Sequence, residues 1–555
     1  MEQARLFLAI ALSFLVFFVW EFFIVDREPV QKPDKMTQSE QMPEDYPKED
    51  PYIKEPVADT AFPSSAEEIL PSAQESRIIT VNSPLYSVKI SEKGSVFQSF
   101  ILKDYREKKE KDSPPKEMIP KSIRTGTIRT GFAGNSLPGL EEAMFSANTE
   151  ADAVDVFSQT ETLSFSWRTP EGIMVEKTFH FSPETYLIGL TVTIKNGSYE
   201  TLEGNLILSL AGVVPEKSDS YSFEGPSALI NDSVEEVAIK NIEDKKKYDG
   251  TLKWIGIEDR YFLSSIIPVM PVESSMRLLL KDKKVFENQY MHSASNIRPE
   301  TQQRFEFNLF LGPKSLHILS SLNNDLDKAI DFGWFDVIAK PCLLIMNFLY
   351  ASFIPNYGIA IIILTTFIKL ILWPLGSKSY KSMNEMKKIQ PLMTEIREKY
   401  KDDKKMMNQE LMNLYKTYKI NPMGGCLPMI LQIPVFIAFY RMLYEAIELR
   451  HAPFLLWIDD LSAPDRLLHF SFSIPFMEPP YGIPVLTIVM GGTMLLQQRM
   501  SPPPGDPAQA KIMMFMPIVF TVIFINFSSG LVLYWLVNNI LSISQQYYIS
   551  KKKNA

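Results

Sequence analysis

The chain has 555 residues, which is too long for a single hydrophobic core, so two or more domains are expected. Hydrophobic residues make up 46% of the chain, charged residues make up 22%, and the formal net charge is −8. An even spread of this negative charge would argue against nucleic-acid binding, but the C-terminal part of the chain is basic. The sequence contains no GxxxxGKS/T, GxGxxG or HExxH pattern and its histidines are scattered singly, so no nucleotide, metal or cofactor site is predicted.

Two segments precede the first predicted domain. The stretch RLFLAIALSFLVFFVWEFFIV, from Arg5 to Val25, is long enough to cross about 30 Å of hydrocarbon, and no small-x-small cleavage site follows it. It therefore predicts an uncleaved transmembrane anchor over residues 1–25, with a signal peptide as the alternative. Residues 26–76 are rich in Pro, Glu, Asp, Lys and Ser and poor in large apolar residues, which is typical of a disordered linker.

The next region, residues 77–330, has the pattern of an all-β domain. Segments such as YSVKIS, LSFSWRT, MVEKTFHF, YLIGLTVTIKN and RFEFNLFLG alternate apolar and polar residues and are separated by Gly, Asn, Pro and Ser. Alternation of this kind predicts strands, and at this length it predicts a large antiparallel β-sandwich. No catalytic cluster is visible in it, which favours a structural or docking role.

The C-terminal region is predicted to be helical and membrane-embedded. Residues 331–353 are apolar but interrupted by Asp336, Lys340 and Pro341, which favours a helix lying along the membrane interface. A membrane-embedded core follows over residues 354–550, with predicted spans at about 357–375, 426–443, 483–497, 512–527 and 531–548. Together with the anchor, this gives six spans.

The distribution of basic residues predicts the orientation of these spans. Lysine and arginine are concentrated in residues 377–420 and in the tail, residues 551–555, so both should be cytoplasmic. Counting back through the spans places the β domain on the outside and the N-terminus on the inside. Both termini are then cytoplasmic.

The cytoplasmic segment, residues 377–420, predicts two helices that pair as an antiparallel hairpin. Its apolar residues recur at helical spacing on both sides of the sequence KDDKK. Many are methionines, which adapt to varied apolar partners, and this suits a surface that meets many hydrophobic segments. An ordinary hairpin core filled with methionine is the alternative. The methionines concerned are Met383, Met386, Met393, Met406 and Met407.

Lys369 is a charge inside an otherwise apolar predicted span. It lies about 8 Å inside the hydrocarbon at 1.5 Å per residue, so a lysine that merely snorkels to the surface is one interpretation. Polar residues in the same and other spans favour a second, a shared water-filled cavity that lowers the barrier to a polar chain. They are Thr365, Thr366, Gln432, Asn538 and Asn539. The cation would attract acidic residues of an incoming chain, and no nucleotide hydrolysis would be required.

Several segments of the C-terminal region resemble a known family. The block NPMGGCLPMILQIPVFIAFYRMLYEAIELRHAPFLLWIDDLS closely resembles the most characteristic segment of the YidC/Oxa/Alb membrane-protein insertases. The segments IKLILWPLGSKSYKSMNEMKKIQP, QQRMSP and KIMMFMPIVFTVIFINFSSGLVLYWLVNN are also similar to family segments, in the expected order. The resemblance covers about Trp334 to Lys553. The anchor and the long β domain resemble the Gram-negative form of the family.

The resemblance implies a membrane α-helical fold of six spans, with a five-helix insertase core, a cytoplasmic helical hairpin and an all-β periplasmic supersandwich. Lys369 falls at the position of the family's groove cation, usually an arginine, so the charge is kept but the planar fork is lost. Thr365 and Gln432 resemble polar groove positions. The positions that resemble the apolar slide for substrate spans are Ile433, Phe436, Tyr534 and Trp535.

The resemblance also implies partners and a location. The protein would be a non-enzymatic insertase and chaperone of the bacterial inner membrane, without a cofactor. Expected partners are nascent inner-membrane proteins, the Sec translocon, the ribosome, targeting factors and membrane lipids, with no nucleic acid beyond the ribosome. A solute transporter and an envelope scaffold are the alternatives from the residues alone. The loop from Ser462 to Tyr481 is longer than usual for the family and is given no role.

Overall fold

The computed structural model describes residues 76–110, 112–134, 137–216, 222–418, 420, 427–501 and 507–552. The predicted anchor, residues 1–25, lies outside the described residues. The predicted linker, residues 26–76, does so as well, except for its last residue. The last three residues of the basic tail are also outside them.

The first part of the described chain is all β, as predicted. Its strands are β1 (Ile78–Asn82), β2 (Tyr86–Ser91), β3 (Val96–Arg106), β4 (Pro115–Glu117), β5 (Arg129–Ala133), β6 (Ser146–Ala147), β7 (Ala153–Asp155), β8 (Glu161–Arg168), β9 (Ile173–Phe181), β10 (Leu187–Asn196), β11 (Leu202–Val213), β12 (Gly225–Ile230), β13 (Ser233–Glu236), β14 (Lys247–Glu258), β15 (Phe262–Pro268), β16 (Glu273–Lys281), β17 (Val285–Met291), β18 (Ser295–Ile297) and β19 (Thr301–Pro313).

These strands form one small sheet and one large one. The small sheet has the order β4-β3-β2-β1-β7, and the large sheet runs β18-β11-β17-β16-β14-β15-β19-β10-β9-β8-β6, with β5, β12 and β13 beside it. The described pairs are antiparallel except for β1 with β7. Strand β14 connects two parts of the large sheet, because residues 247–251 pair with β16 and residues 255–258 pair with β15.

Alternation of side chains explains why these segments are strands. In β9, every second residue from Ile173 to Phe181 is buried and the residues between are partly exposed. One hydrophobic face is thereby removed from water while the other remains polar. The segments quoted from the sequence lie in strands, except for their end residues Thr169 and Tyr186. Strand β12 had no such signal, because all six of its residues are buried.

The second part of the described chain is mostly helical. A short helix, α1 (Leu316–Ser321), follows the β domain, and a small hairpin of strands, β20 (Leu467–Phe470) and β21 (Tyr481–Ile483), lies among the later helices. The longer helices are α2 (Asp336–Ser352), α3 (Tyr357–Ile371), α4 (Trp373–Lys399), α5 (Lys404–Thr417), α6 (Leu427–Glu445), α7 (Val485–Met500), α8 (Pro507–Ile523) and α9 (Ser529–Lys552). Helix α9 packs against α3, α4, α6 and α7, which places it at the centre of the bundle.

Length and composition within the described residues do not confirm the five predicted core spans. Among the described residues, one helical segment, Gly333–Ser352, is long and apolar enough to cross a bilayer by itself. Helices α3 and α4 meet the same criterion only together, and they are bent by 65° at their junction. The segment Gly333–Ser352 is the one predicted to lie along the interface, and its charged residues Asp336 and Lys340 form an ion pair of 2.8 Å. The interfacial helix and the six-span count both stay predictions.

The predicted hairpin of residues 377–420 corresponds to α4 and α5, although α4 begins earlier, at Trp373. The junction with α3 therefore lies inside the predicted first core span, residues 357–375. Helices α4 and α5 pack around a small apolar cluster of their own, separate from the main core. Its buried residues are Ile389, Met393, Leu411 and Ile420. The hairpin therefore has a small apolar core of its own.

The β domain contacts the bundle through specific polar bonds. Arg260 donates two hydrogen bonds, of 2.8 and 2.6 Å, to the main-chain carbonyl of Tyr444 at the end of α6. Arg450 donates to the carbonyls of Arg106 and Glu107 at 2.7 and 3.1 Å. The two parts of the chain therefore share an interface built from charged donors and main-chain acceptors.

Candidate functional site

Lys369 lies in the last two turns of α3, where its half-buried side chain reaches α9. Its ammonium group donates to Oγ of Ser542 at 2.7 Å and to Oδ1 of Asn538 at 3.3 Å. Both acceptors are uncharged. Within the described residues, no carboxylate is paired with Lys369. The site therefore holds a cation whose charge is solvated by neutral groups.

Asn538 is the centre of this arrangement. Its Oδ1 accepts the bond from Lys369 and a second bond, of 2.7 Å, from Nε2 of Gln432 on α6. Three helices, α3, α6 and α9, thus contribute one half-buried polar side chain each to a common point. The structure thus brings together three of the polar residues named from the sequence, Lys369, Gln432 and Asn538.

Helix α9 continues this polar surface toward its C-terminal end. Gln545 donates to the carbonyl of Trp373 at 2.9 Å and to Oγ of Ser377 at 3.2 Å, and Gln546 donates to the carbonyl of Met500 at 3.1 Å. These bonds tie α9 to the first turns of α4 and the end of α7. Sequence reasoning did not single out Ser542, Gln545 or Gln546. The signal was available, since Asn538, Ser542, Gln545 and Gln546 follow the i, i+4, i+7 and i+8 spacing of one helical face.

Thr365 is placed differently from Lys369 and Gln432. Its side chain is buried, and its hydroxyl donates to the carbonyl of Ile361 in its own helix at 2.6 Å. Thr366 does the same with Ile362 at 2.8 Å. Hydroxyl groups commonly satisfy themselves in this way inside apolar helices. The structure therefore does not bring Thr365 into the polar contact that joins Lys369, Asn538 and Gln432.

Three of the predicted slide residues, Phe436, Tyr534 and Trp535, meet in an aromatic cluster between α6 and α9. The rings of Phe436 and Trp535 pack edge to face at 4.6 Å, and Tyr534 stacks on the buried Phe439 at 4.6 Å. Tyr534 is 4% exposed, whereas Ile433, Phe436 and Trp535 are half-buried. Tyr534 thus lies behind the other three and supports them, and the accessible apolar surface is formed by Ile433, Phe436 and Trp535.

The five hairpin methionines divide between the core and the surface of the hairpin. Met393 is buried, and Met386 and Met407 pack at the edge of the same cluster. Met383 is half-buried outside that cluster, and Met406 is exposed. Three of these methionines therefore pack in or beside the hairpin's own core, and Met406 is the one of the five whose side chain is exposed.

Two sequence families match this chain and together cover both parts of the fold. Residues 78–345 match the family described as YidC periplasmic domain, and residues 348–555 match the family described as 60Kd inner membrane protein. The β region and the helical bundle thus define an inner membrane protein with a periplasmic domain.

Full-length relatives are similar over nearly the whole chain. Membrane protein insertase YidC from Syntrophobacter fumaroxidans is 41% identical over 99% of this chain and 100% of its own length. Membrane protein insertase YidC from Syntrophus aciditrophicus is 41% identical, over 98% of this chain and 99% of its own length. The chain belongs to the YidC family of membrane protein insertases, which is not a family of enzymes.

A solved structure is also similar to this chain. It is the crystal structure of an active YidC insertase with the first transmembrane domain resolved, and it is 19% identical. The match covers 86% of this chain and 93% of that one, with a TM-score of 0.37.

Proposed function

We propose that this protein inserts membrane proteins into the bacterial inner membrane through a hydrophilic groove whose cation is Lys369. The observation that carries the proposal is the pair of bonds from Lys369 to Asn538 and Ser542, both neutral acceptors. A cation solvated in this way keeps its attraction for a carboxylate, because no fixed negative charge competes for it among the described residues. An acidic segment of an incoming chain would supply that carboxylate.

Polar side chains around Lys369 would let water follow the segment partway into the bilayer. Asn538, Ser542 and Gln432 can each exchange a protein hydrogen bond for one to water or to a polar chain. Carrying a polar segment across the remaining hydrocarbon then costs less. The driving force would be burial of the substrate's apolar span in lipid, aided by the membrane potential, and no nucleotide would be hydrolysed.

The accessible apolar surface next to this groove would receive the substrate's hydrophobic span. Ile433, Phe436 and Trp535 are half-buried and lie on α6 and α9, the helices that also carry Gln432 and Asn538. A span entering from the groove would therefore meet polar and apolar groups on the same two helices. Tyr534 would hold the surface in place from behind.

The proposal includes an orientation, a span count and partners. The helical hairpin of α4 and α5 and both termini would be cytoplasmic, with six spans and the β domain in the periplasm. The hairpin would meet the ribosome or a targeting factor, and the protein would act alone or beside the Sec translocon as insertase and chaperone. The support is the basic composition of the hairpin, the exposed Met406 and the resemblance to the family.

The test is insertion of a short Sec-independent protein with an acidic translocated tail into liposomes that contain the purified chain. We expect Lys369→Glu to abolish protease protection of the tail and Lys369→Arg to preserve it. The matched control is Lys388→Glu, which makes the same charge change at an exposed position of α4. Equal protection with Lys369→Glu and wild type would overturn the role of the cation.

A further inference from the structure

The chain between the end of α6 and the start of α7 contains a hairpin with an unusual composition. Residues 467–484 read LLHFSFSIPFMEPPYGIP, with Glu478 as their only acidic residue, His469 as their only titratable base, and no lysine or arginine. Strands β20 and β21 pair at its base, with Leu467 opposite Ile483 and Phe470 opposite Tyr481. We refer to residues 467–483 as the apolar hairpin.

Large apolar side chains of the apolar hairpin point into the surroundings. Leu468 is 68% exposed, Phe472 is 64% exposed and Phe476 is 80% exposed, and the rings of Phe470 and Phe472 stack at 4.3 Å. Leu468 and Phe476 also have φ angles of 52° and 66°, in the left-handed region that bulky residues rarely adopt. A positive φ costs free energy at a bulky residue, and at both positions most of the side chain is nevertheless left exposed.

The base of the apolar hairpin is fixed by a network of hydrogen bonds. The buried Arg466 donates to the carbonyls of Pro480 and Ile525 at 3.0 and 2.8 Å. Asn526 donates to the carbonyl of Phe476 and accepts from the main-chain NH of Glu478, both at 2.9 Å. The exposed rings therefore belong to a hairpin whose base is held in place by hydrogen bonds to the bundle.

The same bonds fix the height of the apolar hairpin relative to the bundle. Ile525 and Asn526 form the turn between α8 and α9, and α7 begins at Val485, two residues after β21 ends. The hairpin is thus attached where three helices begin or end on one side of the bundle. Exposed apolar residues continue along the chain from Ile483 to Ile488 and Val489 in the first two turns of α7.

We propose that the apolar hairpin inserts into the interfacial region of the periplasmic leaflet, where it acts as an in-plane anchor beside the bundle. Its surface is continuous with the exposed apolar side chains of α7, and it offers no cation and a single carboxylate to a charged partner. Leucine and phenylalanine side chains on a polar backbone match the boundary between headgroups and acyl chains. The occupant of this surface is lipid.

Lipid-borne quenchers test the proposal on the full-length chain. Cys342 and Cys426 are replaced by serine, single cysteines are introduced at Phe472 or Phe476, and each is labelled with an environment-sensitive fluorophore. The chain is reconstituted in lipid bilayers whose acyl chains carry a nitroxide near the headgroup. A label at Phe367, exposed on α3, is the lipid-facing control, and a label at Tyr199, fully exposed in the β domain, is the aqueous control.

Labels at positions 472 and 476 should be quenched by the shallow nitroxide at least about two-fold more than the label at 199, since an interfacial element lies roughly 5–10 Å deep. They should also be protected from iodide added to the water. Equal iodide quenching at 472, 476 and 199 would overturn the proposal. Protection that appears only when a substrate or partner protein is added would overturn it too, and would assign the hairpin to protein docking.

The result is independent of insertion activity, because the measurement uses no substrate. A loss of shallow-nitroxide quenching in Phe472→Ser or Phe476→Ser chains labelled at Leu468, with unchanged quenching at Phe367, would further support anchoring through the rings. Unchanged quenching at position 468 after both rings are removed together would count against it.

Discussion

Each part of the molecule holds a lysine away from bulk water, and the two lysines are held in different ways. In the β domain, the fully buried Lys177 donates to the main-chain carbonyls of Ser95, Gly94 and Ile128 at 2.6, 3.2 and 3.4 Å. In the bundle, the half-buried Lys369 donates to side-chain oxygens of two residues on one helix. Neither lysine is paired with a carboxylate among the described residues.

The two lysines differ in whether their acceptors can rotate toward a new partner. The three residues that accept from Lys177 all have left-handed backbone, with φ angles of 71° at Gly94, 47° at Ser95 and 61° at Ile128. The ammonium group therefore holds two irregular turns against β9. Main-chain carbonyls in a packed core cannot turn away, whereas an amide and a hydroxyl side chain can rotate toward a new partner. A buried lysine can therefore serve the fold or remain available to a ligand, depending on its acceptors.

The largest effect is expected from Lys177→Met, which removes the donor that the buried carbonyls of the β domain share. Three buried carbonyls would lose their donor, and each unsatisfied buried group costs about 1–3 kcal/mol, so the β domain should lose about 3 kcal/mol of unfolding free energy. Thermal unfolding of the purified chain would measure it. A variant as stable as wild type would show that water replaces the ammonium group.

The pH dependence of unfolding tests the burial of Lys177 in a second way. Burial lowers the pKa of Lys177 to about 7, whereas lysine in an unfolded chain has a pKa of about 10.4. Between these values the unfolded chain binds more protons, so stability should rise with pH by up to about 1.4 kcal/mol per pH unit. Melting curves from pH 7 to 9 should show this slope in wild type and a shallower one in Lys177→Met. Identical slopes would contradict the assignment.

Asn538→Leu tests the shared acceptor in the bundle. The change removes the partner of Gln432 and one partner of Lys369, each bond being worth about 1 kcal/mol. We expect insertion into liposomes to fall several-fold while the chain still folds. The matched control is Asn539→Leu, since Asn539 bonds to Thr493 of α7 instead. Equal loss of insertion in both variants would point to packing of α9 as the cause.

The smallest expected change is the stability of Lys369→Met, which completes the contrast with Lys177→Met. Because Lys369 is half-buried and its acceptors can turn to other donors, the unfolding free energy should change by about 1 kcal/mol or less. Thermal unfolding of the two methionine variants side by side provides the measurement. A loss as large as that of Lys177→Met would mean that Lys369 is a structural residue.

Much of this fold could be predicted from the sequence where a pattern repeats. Alternation identified many strands of the β domain, and helical spacing identified the helical hairpin of α4 and α5. The same alternation in β9 places Lys177 between Val175 and Phe179, in the inward register, so its burial could have been inferred. Its acceptors could not, because Gly94 and Ile128 are distant in sequence and meet it only through tertiary folding.

The site was predictable in its charge but not in its contacts. An isolated lysine in an apolar run identified Lys369, and polar residues inside other predicted spans identified Gln432 and Asn538. The role of Asn538 as their common acceptor depends on the rotation of α9 relative to α3 and α6, which no local pattern encodes. Thr365 was predicted to share the groove but does not, because its hydroxyl, one turn from Lys369, donates to the carbonyl of Ile361 in its own helix.

The bond from Arg260 to Tyr444 has a consequence for how the two domains depend on each other. Tyr444 is the penultimate residue of α6, where main-chain carbonyls lack helical donors and the helix dipole is negative. The guanidinium of Arg260, 184 residues earlier in the chain, supplies both the donor and the positive charge, and lies 3.5 Å from the Tyr444 ring. The C-terminal cap of a bundle helix is thus provided by the periplasmic domain, so removing that domain would uncap the helix that carries Gln432.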